Sequence, residues 1–251
     1  MAYRCLDYVL RTSLDMTGRL YILKNHIEMN NSSYGQQIDA ARPWSFPAPA
    51  MTALVTLAYI YWKGIPVSTL MTAVSVAACA ALMVLGPLFT KNILGQLGTL
   101  LVFGLLPALG TSYLACGEIV WGVLLAAVPS ILLTDAALRA RNIRDMEADR
   151  ENGRKTSASL FGHKTSAWIY WGEVIGSYIW LGILSMFYLL PVYTVFVFLT
   201  IPVAIGCARG MVKSVTAGNT IIEDMDIRTK NIQLMFSAIL MVTLICTRMF
   251  S

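Results

Sequence analysis

The sequence predicts an all-α fold, a polytopic bundle of about seven transmembrane helices. Three observations carry that prediction. Of the 251 residues, 57% are hydrophobic and 13% charged, with a mean hydropathy of +0.63, too apolar for an ordinary soluble domain. The apolar residues gather into runs near the ~20 residues that a helix needs to cross a bilayer core. The basic residues fall almost wholly into alternate loops, as membrane orientation by Lys and Arg requires.

Residues 1–37 read as an N-terminal cytoplasmic or interfacial segment. Leu6, Leu10 and Leu14 recur at four-residue spacing close to Arg4 and Arg11, the pattern of an amphipathic helix lying on a membrane. No uninterrupted apolar core or small-residue cleavage pattern marks a signal peptide there. The stretch Asn30-Asn31-Ser32-Ser33-Tyr34-Gly35 reads as a joint, and residues 38–251 form the transmembrane domain. The expected spans are 46–62, 65–89, 93–116, 119–138, 167–188, 189–208 and 232–250. The first is short, with Pro47 and Pro49 near its start, where a helix tolerates proline.

Charge placement tests these spans independently. With the N-terminus in the cytoplasm, 17 of the 19 basic residues fall on the cytoplasmic side: five before the first span, Lys91 alone, seven between Arg139 and Lys164, and four between Arg209 and Lys230. Only Lys63 and Arg248 fall on the far side, each close enough to a span end to snorkel. The net charge of +5 is therefore a topology signal that suits anionic lipid heads and gives no reason to expect nucleic acid. The five cysteines lie far apart with no Cys-x-x-Cys pair, which indicates neither redox nor zinc chemistry. His26 and His163 belong to no ligand or phosphate-loop motif and are expected to be ordinary loop residues.

The densest chemistry is Asn142-Ile143-Arg144-Asp145-Met146-Glu147-Ala148-Asp149, followed by Arg150, Gly153, Arg154 and Lys155, directly after an apolar run. If this stretch is helical, offsets of three and four place Asn142, Asp145 and Asp149 on one face. Two carboxylates and an amide oxygen suit a hard cation such as Mg²⁺, which shares its ligand sphere with substrate phosphates. The basic residues around it, Arg144 among them, would attract the same anion from the other side. The alternative is a solvated helix end with local pairs such as Arg141 with Asp145 or Arg144 with Glu147, each contributing a few tenths of a kcal/mol.

Other polar residues divide between two readings as well. Arg42, in Ala41-Arg42-Pro43-Trp44, either snorkels to lipid phosphate or forks onto a substrate diphosphate. Lys91, alone after Gly86-Pro87, is likewise a topology marker or a phosphate contact. Asp135 and Glu173 fall inside spans, where an ionised side chain costs ~2.5–3.5 kcal/mol by insertion scales. Asp135 is expected to pair with Arg139 one turn on; Glu173 is expected to stay protonated or to handle a substrate proton. Glu223, Asp224 and Asp226 are expected to be solvated.

With these residues in place, the sequence resembles the UbiA superfamily of intramembrane prenyltransferases, most closely the branch that prenylates 1,4-dihydroxy-2-naphthoate in menaquinone synthesis. The carriers are Ala41-Arg42-Pro43, Gly86-Pro87 with Lys91 and Gly95, Gly110-Thr111-Ser112-Tyr113, and Asn142-x-Arg144-Asp145-x-x-x-Asp149 followed by Gly153-Arg154-Lys155-Thr156. The resemblance runs from about residue 38 to the C-terminus. It implies a multi-pass cell-membrane enzyme with its Asp-rich loop in the cytoplasm. That enzyme transfers a polyprenyl group from polyprenyl diphosphate to an aromatic acceptor with Mg²⁺ as cofactor. By the resemblance, Asp145 and Asp149 are catalytic, Asn142, Asp145 and Asp149 hold metal, and Arg42, Lys91, Arg144 and Lys155 contact the diphosphate.

The sequence departs from that pattern in two places. The family has nine spans and two Asp-rich motifs, whereas here Lys63-Gly64 stands where two spans and the first motif would be. Arg141 stands where that branch has a second asparagine. Losing half of the metal cage implies weak or absent activity. It also raises a second class of function, a non-catalytic membrane protein that keeps a prenyl diphosphate or lipid binding surface. Asp135 and Glu173 inside spans suggest a third, a small transporter.

Overall fold

The computed structural model describes residues 48–89, 98, 100–151, 153, 155–217, 222 and 224–250, with the side chains of 83–89 and 217 excepted. Every regular element among them is helical. In chain order these are α1 (Ala48–Lys63), α2 (Thr69–Phe89), a π-helical turn (Leu100–Leu105) running into α3 (Leu106–Cys116), α4 (Trp121–Arg144), and the short α5 (Met146–Glu151). Then come α6 (Ser157–Met186), a 3₁₀ stretch (Val192–Thr200) leading into α7 (Ile201–Ala217), and α8 (Met225–Met249). Each of the seven expected spans overlaps a described helix, although 65–68 and 189–191 are not helical and parts of the first and third spans lie outside the described residues. Among the described residues, three helical runs are long and apolar enough to cross a membrane: Trp121–Arg144, Val192–Thr216 and Met225–Met249. Thr69–Leu82 and Leu100–Cys116 are shorter apolar helices. The boundary expected near residue 37 lies outside the described residues.

Prolines explain the irregular helices. A proline inside a helix leaves the carbonyl four residues earlier without its N–H donor, and in lipid such a group must find another partner. Pro107 removes one N–H donor from the Phe103 carbonyl, inside the π-helical turn, and Thr52 Oγ1 from α1 is shared between that carbonyl at 3.4 Å and its own Ala48 carbonyl at 3.0 Å. Pro129 strips Leu125, whose carbonyl accepts Trp180 Nε1 from α6 at 3.1 Å. Pro202 strips Phe198, and the Ile201 N–H takes that carbonyl at the point where 3₁₀ gives way to α7.

Helix α4 is the centre of the bundle, packing on α6, α8 and α1. Lipid tails supply no hydrophobic drive for helices to associate, so close packing at small residues and interhelical hydrogen bonds must do so. A Cβ on Gly104 would lie 2.7 Å from Ile131 Cγ2, and one on Gly122 would run into the Tyr59 hydroxyl. Hydroxyl pairs cross-link the interior: Ser130 with Ser237 at 2.8 Å, Tyr170 with Thr229 at 2.6 Å and Tyr178 with Thr200 at 2.7 Å. Large apolar side chains such as Leu70, Leu101, Ile179, Val195 and Leu199 point outward, as a lipid-facing surface requires.

The two ends of the bundle differ in charge. Gly64, at φ +68°, turns the chain directly from α1 toward α2, and a Cβ there would meet the Arg248 guanidinium at 3.0 Å. Lys63 lies over the Trp62 ring at 4.2 Å. The two cations expected on the far side thus sit at one end, with Tyr61, Trp121, Tyr188 and Phe250 exposed at neighbouring helix ends, the composition of an interfacial aromatic belt. The opposite end holds Arg141, Arg144 and Lys230, at the close of α4 and the start of α8.

Candidate active site

The acidic signature forms at the exit of α4. Asp145 leaves helical geometry at φ −89°, ψ 5°, so the helix expected to run unbroken through Asp149 instead divides into α4 and α5. The hydrogen-bond ladder nevertheless bridges the break. Asp145 N–H donates to the Arg141 carbonyl at 2.9 Å, and Asp149 N–H to the Asp145 carbonyl at 2.8 Å. The two aspartates therefore remain one turn apart, as their spacing predicts. Beyond them Gly153, at φ +67°, turns the chain toward α6, which Thr156 and Ser159 close with reciprocal backbone hydrogen bonds of 3.3 and 2.9 Å.

Charge pairing at the signature reaches further than local helix pairs. Arg144 forks onto Asp145, Nε to Oδ1 at 2.8 Å and Nη2 to Oδ2 at 3.3 Å. The expected Arg141–Asp145 pair is present at 3.6 Å. The expected partner of Arg144, Glu147, is replaced by Asp226 on α8, which accepts from Arg144 Nη1 at 3.0 Å and from Lys230 Nζ at 3.3 Å. Asp226 is only 4% exposed, which corrects its assignment to a solvated group. Asp149 is buried, Asn142 is intermediate and Lys155 is exposed. Arg42 and Lys91 lie outside the described residues.

Asn142, Asp145 and Asp149 offer two carboxylates and an amide oxygen. Among the described residues no three His, Cys, Asp or Glu side chains gather as a cage. These are oxygen donors of the kind a hard cation such as Mg²⁺ takes but fewer than its full set, so substrate phosphates would have to supply the rest.

Deeper in the bundle Arg139 ties two helices together. Its Nη2 donates to Asp135 Oδ2 at 2.9 Å, as the one-turn spacing predicts, and also to Glu173 Oε1 at 2.6 Å. Its Nε reaches both Glu173 oxygens at 2.9 and 3.1 Å. Glu173 was expected to stand protonated or to serve a substrate; its structural partner is the far side of Arg139. A 34-residue separation gives no local signal for that pair. The clue was that each ionisable group within a span needs an opposite charge.

His163 also departs from expectation. It lies within α6 just after the Gly162 break (φ +76°) and meets Ser214 Oγ at 3.0 Å, and burial pushes its pKa below the ordinary histidine value; His26 lies outside the described residues. Further along α6, Ile175, Tyr178, Gly182, Phe198, Ile201 and Ala204 border an open apolar groove of about 360 Å³. Its lining on α6 runs from Ile175 to Gly182, about 10 Å at ~1.5 Å per residue, away from the acidic end.

The sequence is similar to known proteins. Residues 45–220 match the UbiA prenyltransferase family. The chain is 29% identical over 116 residues to the 1,4-dihydroxy-2-naphthoate octaprenyltransferase of Escherichia coli (strain K12), covering 46% of this chain and 38% of that protein. The protein of the same description in Bacillus subtilis (strain 168) is 31% identical over 99 residues, 39% of this chain and 32% of the relative. UbiA prenyltransferase domain-containing protein 1 of Xenopus tropicalis is 34% identical over 153 residues, 61% of this chain and 40% of the relative. The matched stretches thus span less than half the length of each of these relatives.

Proposed function

Because the chain belongs to the UbiA prenyltransferase family, we propose that it transfers a polyprenyl group from polyprenyl diphosphate to an aromatic acceptor of the 1,4-dihydroxy-2-naphthoate type. The relatives' descriptions suggest the acceptor. The observation that carries the reading is Asp145 and Asp149 one turn apart at the polar exit of a bundle-spanning apolar helix, inside the matched stretch.

The chain's own residues divide the work. Arg144 and Arg141 supply planar donors, and guanidinium forks match phosphate oxygens. By family resemblance, Arg42, Lys91 and Lys155 would contact the diphosphate. Asn142, Asp145 and Asp149 would hold Mg²⁺, which when bound neutralises the diphosphate leaving group as a Lewis acid and template. An apolar setting that excludes water would suppress capture of an allylic cation before the aromatic ring attacks. The sorting of cations between the two ends supports placing Asp145 and the N-terminus on the cytoplasmic side of the cell membrane.

Lys63-Gly64 joins α1 to α2 by a turn where the family pattern carries its first Asp-rich motif, so the reading predicts turnover well below that of a two-motif enzyme. Purified protein in lipid nanodiscs is supplied with Mg²⁺, a polyprenyl diphosphate and 1,4-dihydroxy-2-naphthoate, and product is measured by mass spectrometry. Slow product formation that Asp145→Ala or Asp149→Ala abolishes is the expected result. Diphosphate binding with no product in any condition would support a non-catalytic binding protein instead.

A further inference from the structure

Two cations meet at the end of the bundle opposite Asp145. Lys63 closes α1, and Arg248 lies in the last turn of α8. Arg248 comes 22 positions after Asp226, about 33 Å along α8 at ~1.5 Å per residue. A bilayer's hydrocarbon core is ~30 Å thick, so Arg248 stands at the other headgroup level from the Arg144–Asp226 pair. The turn at Gly64 brings Lys63 and Arg248 to one place. Arg248 Nη2 lies 3.0 Å from where a Gly64 Cβ would stand, and the Lys63 ammonium is held over the Trp62 ring at 4.2 Å and the Tyr59 ring at 5.8 Å.

Neither cation is consumed by its own helix end. The last carbonyls of α1 are taken by the turn itself, with Gly64 N–H donating to Tyr61 at 3.0 Å and Ile65 N–H to Ile60 at 3.2 Å. Among the described residues, neither Lys63 nor Arg248 makes an ion pair, with Glu118 or with any other carboxylate. Both residues are exposed. Two like charges gathered without a counter-ion repel each other, and an anion shared between them reverses the sign of that interaction. We propose that Lys63 and Arg248 clamp the phosphate of an anionic phospholipid at the membrane face opposite the acidic signature. Arg248 supplies a planar fork and Lys63 a point charge on a flexible stem. Gly64 sets the geometry, since its φ of +68° makes the turn and its missing Cβ leaves room for the guanidinium. The bound lipid ties the end of α1 to the end of α8, two helices packed on each other. Neither residue takes part in prenyl transfer, so the clamp stands or falls separately from that reading.

The test is hydrogen exchange, read by mass spectrometry, on the full chain in nanodiscs of phosphatidylcholine with increasing phosphatidylglycerol. Phosphatidylglycerol should slow exchange in peptides covering residues 61–66 and 245–250. Lys63→Gln and Arg248→Gln should each raise the amount needed for half-protection about fivefold, the scale of one basic residue at an anionic surface. Lys63→Arg and Arg248→Lys keep the charge and should keep most of the effect, which a packing role of the stems alone does not require. Lys213→Gln, beside the His163–Ser214 contact at the other end, should leave protection at 61–66 unchanged. Thermal melts confirm that each variant is folded. Equal protection in phosphatidylcholine alone, or protection that survives the double variant Lys63→Gln/Arg248→Gln, overturns the clamp. Equal protection by inorganic phosphate added to phosphatidylcholine nanodiscs overturns the assignment to a lipid.

Discussion

Replacing Arg139 with Met should destabilise the bundle more than any single change at its polar end. The guanidinium is 8% exposed as a side chain and faces Asp135 at 5% and Glu173 at 10%. Removing one member of a buried ion pair costs about 3–5 kcal/mol, because the survivor remains desolvated without compensation. Here the loss leaves two carboxylates, one each on α4 and α6, so the expected cost is at least about 3 kcal/mol. Glu173→Gln should stay within about 1 kcal/mol of the parent, since it leaves the matched Asp135–Arg139 pair and an amide that still accepts. The triple variant Asp135→Leu/Arg139→Met/Glu173→Leu should recover most of the loss, because apolar replacement of a whole buried ion cluster is often neutral or stabilising. Reversible unfolding in mixed micelles, followed by tryptophan fluorescence, measures all three. A cost below about 1 kcal/mol for Arg139→Met, or a triple variant weaker than the single, would refute the reasoning.

Further predictions follow from neighbouring features. Trp180→Phe removes the donor to the Leu125 carbonyl and should cost about 1–3 kcal/mol; in a Pro129→Ala background, where the helix supplies its own N–H, a double-mutant cycle should show most of that cost gone. Gly104→Ala drives a methyl into Ile131 and should cost about 1–3 kcal/mol by overpacking, with Ile131→Ala, which removes the Cγ atoms it meets, relieving part of it in the same unfolding assay. The His163 pKa is depressed in the fold, so its stabilising contribution is full above the unfolded value near ~6.5. That contribution is lost as pH falls below this value and through the lower folded pKa. Melting temperature should drop as pH falls below about 6.5, and His163→Gln should flatten that dependence.

What could be read in the sequence was whatever depends on local spacing or on the solvent. Apolar run length located the long described helices but not the polar α5, because lipid leaves the backbone no alternative partner. The one-turn offsets of Asp135 with Arg139 and of Asp145 with Asp149 survived into three dimensions, since a helical ladder enforces them. Helix ends were less legible. α6 begins at Ser157, ten residues before the expected span, because a Thr156 cap can start a helix before the chain meets lipid. The pairs that define the polar end, Arg144 with Asp226 and Arg139 with Glu173, join residues 82 and 34 positions apart. Their partnership depends on which helix faces are apposed, and no local pattern records that.

The central claim is that Asp145 and Asp149 form the reactive end of a prenyl diphosphate site. The most direct measurement is single-turnover transfer from a radiolabelled polyprenyl diphosphate to 1,4-dihydroxy-2-naphthoate, comparing the parent with Asp149→Asn, which keeps the side chain's size and removes its charge. The account predicts slow, Mg²⁺-dependent label transfer in the parent and none in the variant. Transfer at an equal rate in both would contradict it.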